Sequence, residues 1–324
     1  MTNRNRYLMG TLVLIVSIGW ISLRLWFPAP QEPGYQFINS WGSPGNAPGE
    51  FHEPIGIAVA HDRVFVSDAG NNRIQVFEKN GGFLHQFGRG GSGIGELDRP
   101  MHIVVHNEKL YVAEYLNDRV QIFSFDGETL GVVGSSGSGS GQFDAPGGVA
   151  AAADGHLYVA DFYNHRVQFF SPGGEFIRQV GTTGEKGIGA ALFNYPTDVA
   201  LLPNGDVDVA DAYNDRIQVF SPEGTFLRKW GGPLATNIPG GFNGWFKTAT
   251  GVAVGPAGNV FVADFYNHRI QKFTSKGEFL VAFGSQGGGL GQLERPTDVA
   301  LDDGGNVFVV DFGNNRIQEF APIR

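Results

Sequence analysis

The chain has 324 residues with 49 glycines, 17 prolines and no cysteine, and its 32 acidic against 23 basic side chains give a net charge of −9. So much glycine and proline argues against a helical protein, while 27 phenylalanines and 42% hydrophobic residues supply more apolar surface than a disordered chain carries. The lack of cysteine excludes a disulfide framework, thiolate metal sites and thiol catalysis, and the acidic balance argues against nucleic acid, whose phosphates demand a basic face.

Residues 1–6 contain Arg4 and Arg6 and are expected to stay cytoplasmic. The twenty residues from Leu8 to Phe27 hold one charge, Arg24. As a helix rising 1.5 Å per residue they span roughly 30 Å, the thickness of a bilayer core. A transmembrane anchor over residues 7–27 is predicted, with its positive flank inside and the rest of the chain exported. Tyr7, Trp20, Trp26 and Phe27 suit the two interfaces, and Arg24 lies close enough to the far end to snorkel. A cleaved signal peptide fits less well, because the run is long and Phe27-Pro28-Ala29 lacks small residues at both cleavage positions. Residues 28–34, with three prolines, form an extended tether. Without Arg4, Arg6 and Arg24 the remainder has 20 basic and 32 acidic side chains, a net −12 that repels anionic headgroups. The anchor, not surface charge, is then what holds the protein at the membrane.

From residue 35 to residue 324 one unit recurs six times. Its clearest phrase begins at Asp68, Glu114, Asp161, Asp211, Asp264 and Asp311, at spacings of 46, 47, 50, 53 and 47 residues. The first copy reads DAGNNRIQVF and the last DFGNNRIQEF. Each unit orders its short strands alike: a run such as GIAVA or DVALL, one such as VFVSD or VDVAD, the RIQVF type, then one such as FLHQFG. Turn residues separate them. Four antiparallel strands every ~45 residues make a propeller blade. The phrase Asp-x-x-Asn-x-Arg-Ile/Val-Gln-x-Phe resembles the hallmark of the NHL-repeat family over all six units. The resemblance implies an all-β, six-bladed propeller, here of the membrane-anchored bacterial type. The sixth unit lacks its last strand, and the segment opening at Tyr35 matches that strand, so the N-terminal strand is expected to close the last blade.

Six copies of the charged phrase point to structure. Asp68 and Arg73, Glu114 and Arg119, Asp161 and Arg166, Asp211 and Arg216, Asp264 and Arg269, and Asp311 and Arg316 are read as staples between strands or blades, with asparagine in the tight turn. The Gln-x-Phe tail is expected to alternate outward and inward, its phenylalanine entering the core. The glycine-rich phrases lack Gly-Lys-Ser/Thr and precede no helix, so they are blade crossings and not phosphate loops.

Function is expected on the face shared by the crossings and the turns between the second and third strands. Tyr163, Tyr213 and Tyr266 in those turns are candidate partner contacts. Two places after the strand-opening position stand Gly56, His102, Gly148, Asp198, Gly251 and Asp298. The polar members fall on alternate blades, so His102, Asp198 and Asp298 surround one axial channel and form a candidate site for a divalent cation, calcium or zinc. The competing reading is that the aspartates only cap strands. The irregular crossing before the fifth unit carries Phe242 and Trp245, which lack counterparts elsewhere and read as anchors for a partner, or else as a plug or gap filler.

Three functional classes follow from the resemblance. Peptide-amidating lyases of this fold place zinc-binding histidines directly after the strand-opening proline. Here those positions are Ile55, Met101, Gly147, Thr197, Thr250 and Thr297, and no catalytic constellation is identified; a metal-dependent lyase or lactonase-like activity stays as the alternative. RNA-binding NHL domains imply a basic face that the acidic chain lacks. An extracytoplasmic interaction, scaffold or sensor module, bound to a protein partner in the membrane or envelope or to a ligand, is the favoured expectation.

Overall fold

In the computed structural model, which describes residues 27–324, the chain forms six four-stranded antiparallel blades arranged as a closed ring. Blade one contains Pro54–Ala60, Arg63–Asp68, Arg73–Glu78 and Phe83–Phe87, innermost strand first. Blade four contains Pro196–Leu201, Val207–Asp211, Arg216–Phe220 and Phe226–Trp230. Blade six orders Val299–Leu301, Val307–Asp311 and Arg316–Pro322, and its fourth, outermost strand is Tyr35–Trp41. The N-terminal strand therefore closes the ring, with Tyr35 opposite Pro322 and Trp41 opposite Ile317. Except for Phe27, the predicted membrane span lies outside the described residues. Among the described residues no helix is long and apolar enough to cross a membrane.

The core is divided into six clusters, one between each pair of neighbouring blades. Phe77, Phe123, Phe170, Phe220, Phe273 and Phe320, the tails of the repeated phrase, are all buried in them. The glutamines two places earlier depart from the expected outward alternation. Gln75, Gln121, Gln168, Gln218, Gln271 and Gln318 are buried too. Each amide stays inside because it has two acceptors there: Gln75 Nε2 donates to Asp68 Oδ2 at 3.1 Å and to the Glu50 carbonyl at 2.7 Å.

The turn chemistry also differs from expectation. The motif asparagine is not the strained residue; Asn71 Nδ2 donates to Asp68 Oδ2 at 2.9 Å. The next residue takes the left-handed conformation, at φ 54° for Asn72 and 55° for His268. Its six occupants are Asn72, Asp118, His165, Asp215, His268 and Asn315, types that tolerate this region. Each accepts a backbone hydrogen bond from the next blade, as in Asn72 Oδ1 from Arg99 N at 2.8 Å and Asn315 Oδ1 from Glu53 N at 2.9 Å. One side chain per blade thus locks neighbours together around the ring, including the sixth to the first.

The tether does not hang free. It leaves blade six and runs onto blade five, where Gln31 N donates to the Leu280 carbonyl at 2.7 Å. Lys272 Nζ pairs with Glu32 at 2.6 Å, and Asn243 Nδ2 donates to the Pro28 carbonyl at 3.0 Å.

Candidate functional site

The six charged phrases have one geometry. The arginine Nε lies 2.7–2.8 Å from its carboxylate in every blade. In every blade Nη2 reaches two carbonyls of the crossing that enters that blade: Arg73 Nη2 donates to Ala47 and Glu50, both at 2.9 Å. Each carboxylate also accepts a crossing amide, as Asp211 Oδ1 does from Asn194 at 2.7 Å. The donors are consumed within the fold, so these residues stiffen the crossing face and leave no charge free for chemistry.

That face surrounds the axial channel, a cavity of about 260 Å³ lined by the inner strands. His102, Asp198 and Asp298 converge in it, all buried, with their nearest ligand-type atoms within 4.8 Å of one another. His102 Nδ1 lies 3.6 Å from Asp198 Oδ2 and 3.3 Å from Asp298 Oδ2. The glycines on alternate blades leave room for the cluster. A Cβ added to Gly148 would come within 2.3 Å of Asp198 Oδ1, and one on Gly251 within 2.6 Å of Asp298 Oδ1. Both carboxylates also cap the neighbouring inner strand, accepting from Val252 N and Ile57 N at 2.9 Å. Capping and convergence thus coexist in the same side chains.

Burial alone pushes the His102 imidazole down, but Asp198 and Asp298 outweigh it and hold the group up at about 9. Burial pushes Asp198 up to about 7, against the pull of His102. Held at about 9, the imidazole keeps its proton at neutral pH beside the two aspartates. One nitrogen and two carboxylates fit zinc or manganese better than calcium, which takes six to eight oxygens, and a bound ion would have to displace the imidazole proton.

The turn tyrosines reach solvent, with Tyr163 46%, Tyr213 53% and Tyr266 50% exposed. Tyr163 and Tyr213 belong to one aromatic sheet across blades two to four. Tyr195 joins them, 5.8 Å from Tyr163 and 5.0 Å from Tyr213. Phe162 stacks on Tyr195 at 4.7 Å, and Tyr115 extends the group at 5.9 Å from Tyr163. Lys186 Nζ lies 4.1 Å over the Tyr195 ring. Tyr266 stands in a separate pair with Phe265, centroids 4.8 Å apart. Tyr195, Phe162, Tyr115 and Lys186 were not singled out by sequence reasoning. Tyr195 occupies the variable place before the strand-opening proline, where the other blades carry Glu53, Arg99, Ala145, Thr248 and Arg295.

Phe242 and Trp245 meet a segment of their own chain. Phe27 packs edge-on to Phe242 at 4.7 Å and parallel to Trp245 at 5.9 Å, and the two loop rings lie 5.3 Å apart. Phe246, by contrast, is buried in the core between blades four and five.

The family described as NHL repeat matches residues 51–77, 143–170, 193–220, 246–273 and 293–320. The unit carrying Glu114 in place of aspartate has the same blade geometry. No curated protein sequence matches the chain. Among solved structures, a virginiamycin B lyase from Staphylococcus aureus, crystallised with quinupristin, is 16% identical with a TM-score of 0.58, covering 90% of this chain and 89% of that one. An auxiliary nutrient binding protein from Bacteroides thetaiotaomicron is 12% identical with a TM-score of 0.63, covering 91% and 75%. The WD40 propeller domain of Doa1 is 9% identical with a TM-score of 0.61, covering 90% and 98%. At such identities the likeness is one of fold.

Proposed function

We propose, from the premise that the chain is a six-bladed propeller of NHL repeats, that it is a membrane-anchored, extracytoplasmic binding module. The observation that carries this reading is the continuous aromatic surface of Tyr115, Phe162, Tyr163, Tyr195 and Tyr213 on a face stiffened by the arginine staples. Aromatic side chains offer large contact area at low conformational cost, and they are enriched where partners bind. The partner is a protein of the membrane or envelope, or a ligand held there. Purification of the full chain from native membranes in detergent tests it. The wild type is expected to bring a defined species with it, and a Tyr163→Ala/Tyr213→Ala variant to lose that species at an unchanged thermal midpoint. Recovery of the same species with both proteins, or of nothing with either, overturns the aromatic-face reading.

A second reading, a metal-dependent lyase or hydrolase with its site in the channel, rests on the convergence of His102, Asp198 and Asp298. An ion there would act as a Lewis acid or activate water. Calorimetry with zinc or manganese is expected to show one bound ion per chain, lost in Asp198→Asn and Asp298→Asn, which keep an oxygen for the Val252 and Ile57 amides. No heat of binding, or heat unchanged by both substitutions, removes it.

A further inference from the structure

The tether contacts fix where a membrane anchor would leave the propeller. The apolar run that begins at Leu8 ends at Phe27, and Phe27 is clamped by Phe242 and Trp245 on the crossing that enters blade five. Three further ties hold the next residues along blade five, at Pro28, Gln31 and Glu32. A segment pinned at four successive places cannot act as a long flexible leash. The same crossing exposes other apolar side chains, with Leu234 79%, Phe242 53% and Ile238 47% accessible, and Phe27 itself is 42% accessible. Leu234 lines a cleft of about 880 Å³ together with Pro28, Trp230, Trp245, Phe279 and Leu280. The apolar surface is therefore continuous with Phe27, the point at which the hydrophobic run ends.

We infer that the 231–245 crossing is a membrane-docking loop, seated in the lipid interface beside the anchor, so that the rim of blades four and five faces the bilayer. The inference rests on the anchor reading and deepens it. The occupant is the headgroup–acyl boundary, where aromatic rings with a polar handle partition well and aliphatic side chains find apolar surroundings. The net −12 outside the anchor opposes approach to anionic headgroups, so the contact rests on the anchor and on a loop that carries no charged side chain between residues 231 and 245. The consequence is a fixed orientation: the aromatic face is held at a set angle to the membrane, not swung freely on a tether.

The absence of cysteine allows a direct test. Single Leu234→Cys and Ile238→Cys variants of the full chain are labelled with a fluorophore and reconstituted in vesicles of phosphatidylethanolamine and phosphatidylglycerol. Ile94→Cys and Leu290→Cys serve as controls, being apolar crossing residues on other blades, 70% and 71% accessible and so more exposed than Ile238. Labels at 234 and 238 are expected to be quenched several-fold more by spin-labelled lipid than the control labels, and correspondingly less by aqueous iodide. A Phe242→Ala/Trp245→Ala background is expected to abolish that difference while the chain still resists carbonate extraction. Equal quenching at all four positions, in a chain that stays in the vesicles, overturns the docking loop alone. Extraction of the chain by carbonate overturns the anchor, and the docking loop with it.

Discussion

Replacing Arg216 with methionine is expected to cost about 3–5 kcal/mol of stability, the penalty for stripping one partner from a buried ion pair. Arg216 is fully buried, and its Nε lies 2.7 Å from the equally buried Asp211. Its remaining donors reach Ala235 O at 3.1 Å, Gly189 O at 3.0 Å and Leu192 O at 2.8 Å. Methionine fills much of the volume but supplies none of these bonds, so four carbonyls, that of Ile188 included, and a carboxylate lose a donor at once. Burial already pushes the Asp211 carboxyl up, with Arg216 the main force holding it down, so the variant would take up a proton there in the folded state. The measurement is the denaturant midpoint at unchanged slope. Arg316→Met is the internal comparison, because the Arg316 side chain is 13% exposed and two of its carbonyl bonds are at the surface, so water replaces part of what is lost. A loss at Arg216 no larger than that at Arg316 would show that burial does not set the strength of these staples.

Repetition decided how much of this molecule was legible in the sequence. The Asp–Arg pairs, the buried phenylalanines and closure by the Tyr35 strand recur or complete a recurrence, so one correct reading served six places. The convergence of His102, Asp198 and Asp298 was also readable, because alternation over six units is a statement about angle around an axis. The glutamines were misread because residues two apart share one face of a strand, so Gln75 follows Phe77 inward, where the Asp68 carboxylate and the Glu50 carbonyl take up its amide. The clasp of Phe27 by Phe242 and Trp245 could not be read, since it joins segments more than 200 residues apart that share no pattern. The αL acceptors could have been read: the residue after the motif asparagine is always Asn, Asp or His, types that combine tolerance of a left-handed backbone with a side-chain acceptor, and each spends that acceptor on an amide of the next blade.

The second strands read VFVSD, LYVAE, LYVAD, VDVAD, VFVAD and VFVVD, so five blades place Phe65, Tyr111, Tyr158, Phe261 or Phe308 where blade four has Asp208. Asp208 sits in register with Ala200 and Val219, both part of the apolar core between blades four and five. It is completely buried, and among the described residues neither carboxylate oxygen accepts a hydrogen bond. Burial pushes it up to about 8, with Arg228 pulling the other way. Between its ordinary value of 3.8 and about 8 the unfolded chain releases this proton while the folded protein keeps it. Rising pH therefore favours unfolding across that window, by a sum on the order of 5 kcal/mol at ~1.4 kcal/mol per pH unit. Below the window the contribution vanishes. Asp208→Phe is expected to remove the slope and to fill the core as the other blades do, a gain of about 1–4 kcal/mol at neutral pH that grows toward pH 8. The Arg228 guanidinium need not move, since its Nη2 donates to the Ser275 carbonyl at 2.6 Å at the rim. Asp208→Asn should flatten the slope without adding the ring's packing. Denaturant titrations at pH 5 and pH 8 separate these effects. A wild-type pH slope retained in Asp208→Asn would show that another group titrates, and a phenylalanine variant less stable than wild type at both pH values would show that blade four has no room for the ring its neighbours carry.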